Sequence, residues 1–139
     1  MTERKPHRGI DSRVRFEIKF YERLLKDKPE FVDALAPLAE AYTRAGWHEK
    51  GLAIDQRLSR LRPDDGVVFY NLACSYSLLE KLDEAFKALG RAIELGYNDF
   101  AHMDTDADLS RVRADLRYQQ IVARVVKQKG ANHGMERSL

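Results

Sequence analysis

Apolar residues recur every three to four positions along most of the chain, the spacing that places them on one face of an α-helix. The clearest example lies in the stretch 68–79, where the apolar face consists of Phe69, Leu72, Ala73 and Tyr76. One repeat length earlier, the matching face consists of Leu35, Leu38, Ala39 and Tyr42. A fixed period of this kind indicates a helical repeat, in which each unit has an apolar face that its neighbour covers.

The same periodicity predicts the other elements. Helices are expected from Ser12 to Pro29, over 32–45, over 49–61, from a cap at Asp64 or Asp65 through 68–79, and over 83–95. Short helical pieces follow over 98–113, and Asp115 caps a last helix over 116–128. Pro37 predicts either a kink in the second helix or a helix that begins near Asp33. Because alternating strand patterns are absent, the predicted fold class is all-α.

The two ends of the sequence lack this periodicity. Residues 1–11 are predicted to be a disordered basic arm, and residues 130–139 a flexible tail. The N-terminus carries charges without the apolar run of a signal peptide, and the sequence has no apolar stretch of the ~20 residues that span a membrane. With a single cysteine, Cys74, an intramolecular disulfide cannot form. We therefore expect a cytoplasmic protein with no membrane association.

The overall composition does not change the predicted fold, but the distribution of charge along the chain suggests one alternative function. The 139 residues suit one domain, and the net charge is only +2. Basic residues nevertheless cluster in the arm and again from Arg111 to Lys129. Such clusters can bind nucleic acid through its phosphates, although solvated helix faces explain most runs of this kind. Nucleic-acid binding through the arm and the last helix is kept as the alternative, and we expect it to be absent.

The chain resembles the tetratricopeptide repeat family, whose repeat is a helix-turn-helix of about 34 residues. The resemblance covers residues 12–99 and implies a right-handed solenoid of helical hairpins closed by a C-terminal capping helix. It divides the chain into a half repeat over 12–31, repeats over 32–65 and 66–99, and a cap over 100–129. Five positions depart from the family pattern: Glu80 replaces a turn glycine, Tyr97 a proline, Gly51 an alanine, Asp55 an apolar residue and Leu58 a small residue.

The resemblance also implies a concave groove that binds a peptide or protein segment, lined by the first helix of each repeat. Carried over by repeat position, the groove residues are Asp33, Ala36, Glu40, Thr43, Arg44, Val67, Tyr70, Asn71, Cys74, Ser77 and Leu78. Family members that clamp a C-terminal carboxylate use Lys and Asn where this chain has Ala36 and Glu40, so that ligand is not expected. The exposed apolar ends of a short array also allow two chains to pair as a homodimer.

The sequence gives no positive sign of catalysis, and we expect a protein that is not an enzyme and needs neither cofactor nor metal. The spacing Asp104-x-Asp106-x-Asp108 opens like a calcium loop, but the glycine and glutamate that complete such a loop are missing. The four histidines are scattered. Two residues stay open: Cys74 is either a structural or a reactive thiol, and Asp55 is either a rim or hydrogen-bonded acid, or a functional buried acid.

Overall fold

A computed structural model describes residues 12–137, with side chains described as far as Lys127. The described residues form helices and contain no β-strand, which confirms the all-α class. The helices are α1 Ser12–Asp27, α2 Val32–Arg44, α3 His48–Leu61, α4 Gly66–Leu78, α5 Leu82–Glu94, α6 Phe100–Thr105, α7 Ser110–Arg113 and α8 Leu116–Arg137, with a 3-10 turn at Ala107–Leu109 between α6 and α7.

Each of the helices α1 to α4 packs against the next one along the chain, because the loops between them are short. After α5 the chain returns to α4: the 3-10 turn and α7 both lie against it, and α8 contacts α5 and α7. Two apolar clusters result. One joins α1, α2 and α3, and the other joins α4 and α5 with the segments that follow.

The period seen in the sequence has a counterpart in the backbone. Both α2 and α4 have 13 residues, and Gly66 begins α4 one repeat length after Val32 begins α2. The turns that follow have the same hydrogen bonds: Trp47 N donates to Tyr42 O, and Lys81 N donates to Tyr76 O. The turn residue has a positive φ in both, 82° at Gly46 and 61° at Glu80. Glu80 therefore occupies the glycine conformation, although it has a side chain.

The predicted apolar faces form the core. Leu35, Leu38, Ala39 and Tyr42 are buried in α2, as are Leu72 and Ala73 in α4. Phe69 and Tyr76 are only partly buried and pack at the edge of the same cluster as Leu72. Amphipathic spacing thus identified the residues that hold consecutive helices together.

The predicted caps and boundaries are mostly close to those observed. Asp65 caps α4 by accepting hydrogen bonds from Val67 N and Val68 N. The Asp115 side chain accepts from Arg117 N at the start of α8. Ser12, predicted as a cap, already lies inside α1. Pro37 lies in the second turn of α2, so the carbonyl of Asp33 lacks the helical donor that another residue would supply.

The last helix is longer than the sequence indicated. It continues to Arg137, whereas its predicted end was near Gln128 and residues 130–139 were predicted to be a tail. The two glycines that suggested an end each cost only about 1 kcal/mol relative to alanine in a helix, and several of the residues around them are good helix formers. Part of the predicted tail is therefore helical, and its flexibility stays a prediction. The predicted arm over 1–11 lies outside the described residues.

The outward face of α1 is rich in exposed aromatic side chains. Phe16 and Phe20 are 67% and 47% exposed, and their rings stack with centroids 6.1 Å apart. On the other face of the same helix, Val14 and Ile18 are buried against α2. Within residues 12–137, none of the helices combines the length and the apolar character needed to cross a bilayer.

Candidate functional site: a cavity between α2 and α4

A cavity of about 500 Å³ lies between α2, α4 and the segment that contains α6 and the 3-10 turn. Seven of the predicted groove residues line it: Ala36, Glu40, Thr43, Tyr70, Asn71, Cys74 and Leu78. Asp55 and Leu58 of α3 and Ser75 of α4 also line it, and His102, Asp106 and Asp108 form the far wall. The structure therefore brings together side chains from α2, from α4 and from the segment predicted to be a cap.

The α2 wall of the cavity is open to solvent. Ala36 and Glu40 are exposed and one helical turn apart, so they present a small side chain and a carboxylate at the rim. Thr43 is partly buried, and its hydroxyl donates to the carbonyl of Ala39 at 3.1 Å. The accessible groups on this wall are therefore few, and one of them is charged.

The α4 wall is more buried than the sequence led us to expect. Tyr70 and Cys74 are only 4% and 7% exposed. The Tyr70 hydroxyl donates to Asp106 Oδ2 at 2.6 Å, and the Cys74 Sγ lies 3.7 Å from the same oxygen. The Tyr70 ring also packs on Tyr97, with centroids 4.2 Å apart. Tyr70 and Cys74, predicted to look into the groove, are buried residues of the cavity wall, and Asn71 is the exposed α4 residue beside them.

Four predicted groove residues do not line the cavity. Asp33 and Val67 are exposed outside it, at the starts of α2 and α4. Arg44 pairs with Glu17 of α1 at 2.6 Å. Ser77 is completely buried, and its hydroxyl has no hydrogen-bond partner among the described residues. The burial of Ser77 therefore contradicts its predicted place in an accessible groove, and the 3-10 turn and α7 pack on the same helix.

Sequence reasoning missed the far wall. Asp106 caps the 3-10 turn through Asp108 N, accepts from Tyr70, and lies 3.1 Å from His102 Nε2. Its own backbone carbonyl accepts from Arg113 at 2.6 Å. The available signal was the alternating aspartate pattern, which resembles the opening of a calcium loop. Asp104, the first member of that pattern, instead accepts from Tyr118 at 2.5 Å, so the three carboxylates do not converge.

Asp55 is a buried acid that lines the cavity from α3. It is 4% exposed, and its Oδ2 accepts from the Ser75 hydroxyl at 2.5 Å. Burial raises its pKa to about 6, although the hydrogen bond from Ser75 acts in the opposite direction. From the sequence, a hydrogen bond between Asp55 and a tyrosine or an arginine was one of the alternatives. The partner is a serine of α4, so the acid joins α3 to α4 without a neutralising cation.

Negative charge dominates the cavity lining. Four carboxylates line it, from Glu40, Asp55, Asp106 and Asp108, and neither lysine nor arginine is present among the lining residues. Burial raises the pKa of Asp108, and the neighbouring charge of Asp106 raises it further. Burial and then Asp106 likewise raise the pKa of the Cys74 thiol, which disfavours the thiolate. Among the described residues, no group of histidine, cysteine and acidic side chains is arranged to hold a metal ion.

The second basic run is largely engaged within the molecule. Arg111 pairs with Glu80, and Arg113 donates to the carbonyls of Met103 and Asp106. Arg117 pairs with Asp83 at 2.7 Å and lies over the ring of Phe86. These arginines hold the segments after α5 against the helices, which leaves fewer cations for phosphates. Nucleic-acid binding stays an untested alternative, because the arm lies outside the described residues.

Comparison with known proteins shows sequence similarity over part of the chain. No protein-family model matches the chain. The chain is 31% identical over 109 residues to a protein of Arabidopsis thaliana whose name describes it as chloroplastic. The aligned part covers 75% of this chain but only 32% of that protein, so the chain spans about a third of the length of the curated relative it matches. The name of that relative places it in the chloroplast, and the cytoplasmic location expected here stays a prediction.

Proposed function

We propose that the protein is a non-catalytic interaction module that docks an extended peptide or protein segment in the cavity between α2 and α4. In this proposal α2 with α3 and α4 with α5 are two tetratricopeptide-like hairpins in a right-handed solenoid, and the segments from α6 to α8 are its cap. The partner is held by contacts along both walls and is released chemically unchanged.

The observation that carries the proposal is the composition of the cavity. Its walls come from α2 and α4, which have equal lengths and begin one repeat length apart, and exposed side chains stand on both. Ala36 and Glu40 on one side and Asn71 on the other remain accessible to a ligand. A cavity between regularly spaced helices suits a peptide whose successive side chains contact successive walls.

The chemistry of the site also favours binding over nucleophilic catalysis. A nucleophilic cysteine needs a depressed pKa or an adjacent base. Cys74 is buried, its pKa is raised, and its neighbour is the acid Asp106 through a 3.7 Å contact. Cys74 fits the structural thiol of the two alternatives that the sequence left open.

The test fills the cavity with a bulky side chain and asks which peptides stop binding. Peptides are selected from a phage-displayed library on the purified protein, and their affinities are measured for Ala36→Trp and for Ala53→Trp. Both alanines are exposed on helices, but only Ala36 lines the cavity. Ala36→Trp is expected to weaken binding at least about tenfold, as loss of one well-packed contact does, whereas Ala53→Trp leaves it unchanged.

The opposite ranking of these variants, or equal binding by both, would refute docking in the cavity. Tyr70 is unsuitable for this purpose, because its ring and hydroxyl are buried and Tyr70→Ala would disturb the fold. Circular dichroism of both tryptophan variants confirms that helicity is retained.

A further inference from the structure

We infer that the segment bound in this cavity is basic, and that arginine or lysine side chains of the partner pair with carboxylates that line it. The inference rests on the proposed function, since it names the chemistry of the ligand for the same cavity. It is carried by charge, by burial and by three carboxylates that lack a lysine or arginine partner among the described residues.

Charge is segregated in this molecule. The whole chain has 24 lysines and arginines against 22 acids, a net charge of +2. The cavity lining reverses that balance, with four carboxylates and His102 as its one side chain able to carry positive charge. His102 already lies 3.1 Å from Asp106. Such a surface attracts cations and repels acidic or phosphorylated ligands.

Asp55 supplies an observation independent of the charge count. The residue is only 4% exposed, yet it lines the cavity. Ser75 donates to Oδ2, and no lysine or arginine pairs with this carboxylate among the described residues. A buried carboxylate without a cationic partner is strongly disfavoured. A guanidinium or ammonium group entering the cavity would supply the missing charge.

Asp108 and Glu40 extend the negative surface to the far wall and to the rim. Asp108 is partly buried in the far wall, and Glu40 is exposed on α2 across the cavity. Neither carboxylate pairs with a lysine or arginine among the described residues, although the charges of His48 and His102 act on Asp108. A ligand cation between these walls would therefore gain carboxylate partners without displacing a lysine or arginine.

A peptide cation fits these features better than a bare metal ion. The described carboxylates and histidines do not form a metal-binding group, and a cavity of about 500 Å³ has room for long side chains. The planar fork of arginine can reach two acceptors at once. We therefore commit to a peptide with several arginines or lysines as the occupant.

The direct test compares three short fluorescein-labelled peptides, in which alanine alternates with arginine, glutamine or glutamate. Binding to the full chain is followed by fluorescence polarisation at about 50 mM salt and again at about 300 mM. The arginine peptide is expected to bind at least about tenfold more tightly than the glutamine peptide and to weaken at the higher salt. The glutamate peptide is expected not to bind.

Matched neutral variants locate the interaction. Glu40→Gln and Asp108→Asn remove carboxylates that pair with no lysine or arginine among the described residues, and each is expected to weaken binding of the arginine peptide by about three- to tenfold. Glu84→Gln removes an exposed acid of α5 that lies outside the cavity, and it is expected to leave the affinity for the arginine peptide unchanged. An equal loss with Glu84→Gln would mean that only the general surface charge matters, and it would overturn the inference.

The two proposals fail in different ways. If library peptides are blocked by Ala36→Trp but the arginine peptide binds no better than the glutamine peptide, the charge inference is refuted and peptide docking stands. If no peptide of any composition is blocked by Ala36→Trp, the docking proposal itself is refuted. Tight binding of the arginine peptide that Ala36→Trp blocks and Ala53→Trp does not would support both.

Discussion

Individual buried polar groups decide how α3, α4 and the segment after α5 fit together. Asp55 of α3 and Ser75 of α4 join in one hydrogen bond of 2.5 Å, and Tyr70 of α4 donates to Asp106 at 2.6 Å. Each links an element to one that is distant in sequence. Both acceptors are carboxylates without a lysine or arginine partner among the described side chains, so hydrogen bonds from a serine and a tyrosine position these elements.

The first prediction concerns the pH dependence of stability at Asp55. Its pKa is raised from 3.8 to about 6 in the folded protein, so the native state binds the proton more tightly than the unfolded state. The stability contributed by the protonated form is complete below pH 4 and is lost as pH rises through 6. We expect Asp55→Asn, which keeps an amide beside Ser75, to be more stable than wild type at pH 7.5 by up to about 3 kcal/mol.

The measurement is urea unfolding followed by circular dichroism at pH 4 and pH 7.5. At pH 4 the free energies of unfolding of the variant and the wild type are expected to differ by much less, because both side chains are then neutral in the folded protein. Asp64→Asn, at an exposed position, serves as the control. If Asp55→Asn increased the free energy of unfolding equally at both pH values, the increase would not come from the raised pKa of Asp55, and the prediction would be wrong.

At the scale of elements, the chain uses the same turn twice. Gly46 and Glu80 occupy equivalent positions after α2 and α4, with φ values of 82° and 61°. Glycine adopts this conformation freely, whereas a residue with a Cβ is destabilised by roughly 1–2 kcal/mol. The Glu80 side chain pairs with Arg111 of α7 at 2.5 Å, which ties the turn to the segment after α5.

The second prediction separates these two effects at Glu80. Glu80→Gly and Glu80→Ala both remove the pair with Arg111, but only glycine relieves the backbone. We expect the glycine variant to be more stable than the alanine variant by about 1 kcal/mol. Urea unfolding at pH 7.5 measures the difference, and equal stabilities for the two variants would show that the positive φ carries no strain.

The whole molecule is built from contacts between neighbours in the chain. Each helix from α1 to α4 packs on the next one, and the apolar residues separate into two clusters that meet between α3 and α4. Fully buried Leu35 belongs to the first cluster, and fully buried Leu109 belongs to the second. In such an arrangement, damage to one cluster is expected to affect the other only weakly.

The third prediction tests this separation. Leu35→Ala and Leu109→Ala are each expected to destabilise the protein by about 2–5 kcal/mol, because each leaves a cavity in a packed core. Combined, their effects should add to within about 0.5 kcal/mol. The rate of amide hydrogen exchange should rise mainly in α1 to α3 for Leu35→Ala. For Leu109→Ala it should rise mainly from α4 onward.

Strong coupling between the two substitutions, or faster exchange throughout the molecule from either one alone, would indicate a single shared core. The exposed rings of Phe16 and Phe20 lie on the outward face of α1, at one end of this arrangement. Pairing of two chains there stays a prediction, and the molar mass from light scattering at increasing protein concentration decides it.

Local patterns in the sequence were sufficient to locate the main helices. Apolar spacing predicted α2 to α5 to within a few residues at each end, because each helix must bury one face and its sequence shows that face directly. Caps such as Asp65 were also recognisable, since a cap acts on its own next turn. The end of α8 was missed, because glycines weaken a helix without necessarily ending it.

The candidate site was only partly predictable, for a physical reason. The repeat pattern identified Ala36, Glu40 and Asn71 as exposed groove positions, because helical periodicity fixes which side chains share a face. It placed Tyr70, Cys74 and Ser77 on the same groove face, but all three are buried, and Tyr70 and Cys74 contact Asp106 of a segment distant in the sequence. Contacts between distant segments leave no periodic signal along the chain.

The sequence by itself therefore determined the helical class, the repeat period and the apolar faces that build the core, all of which follow from local geometry. Tertiary structure alone decided that the segment after α5 closes the cavity with Asp106 and Asp108, and that Asp55 lines it beside Ser75. These carboxylates are brought together by the return of the chain to α4. Their combined charge, and hence the kind of ligand proposed, depends on that packing.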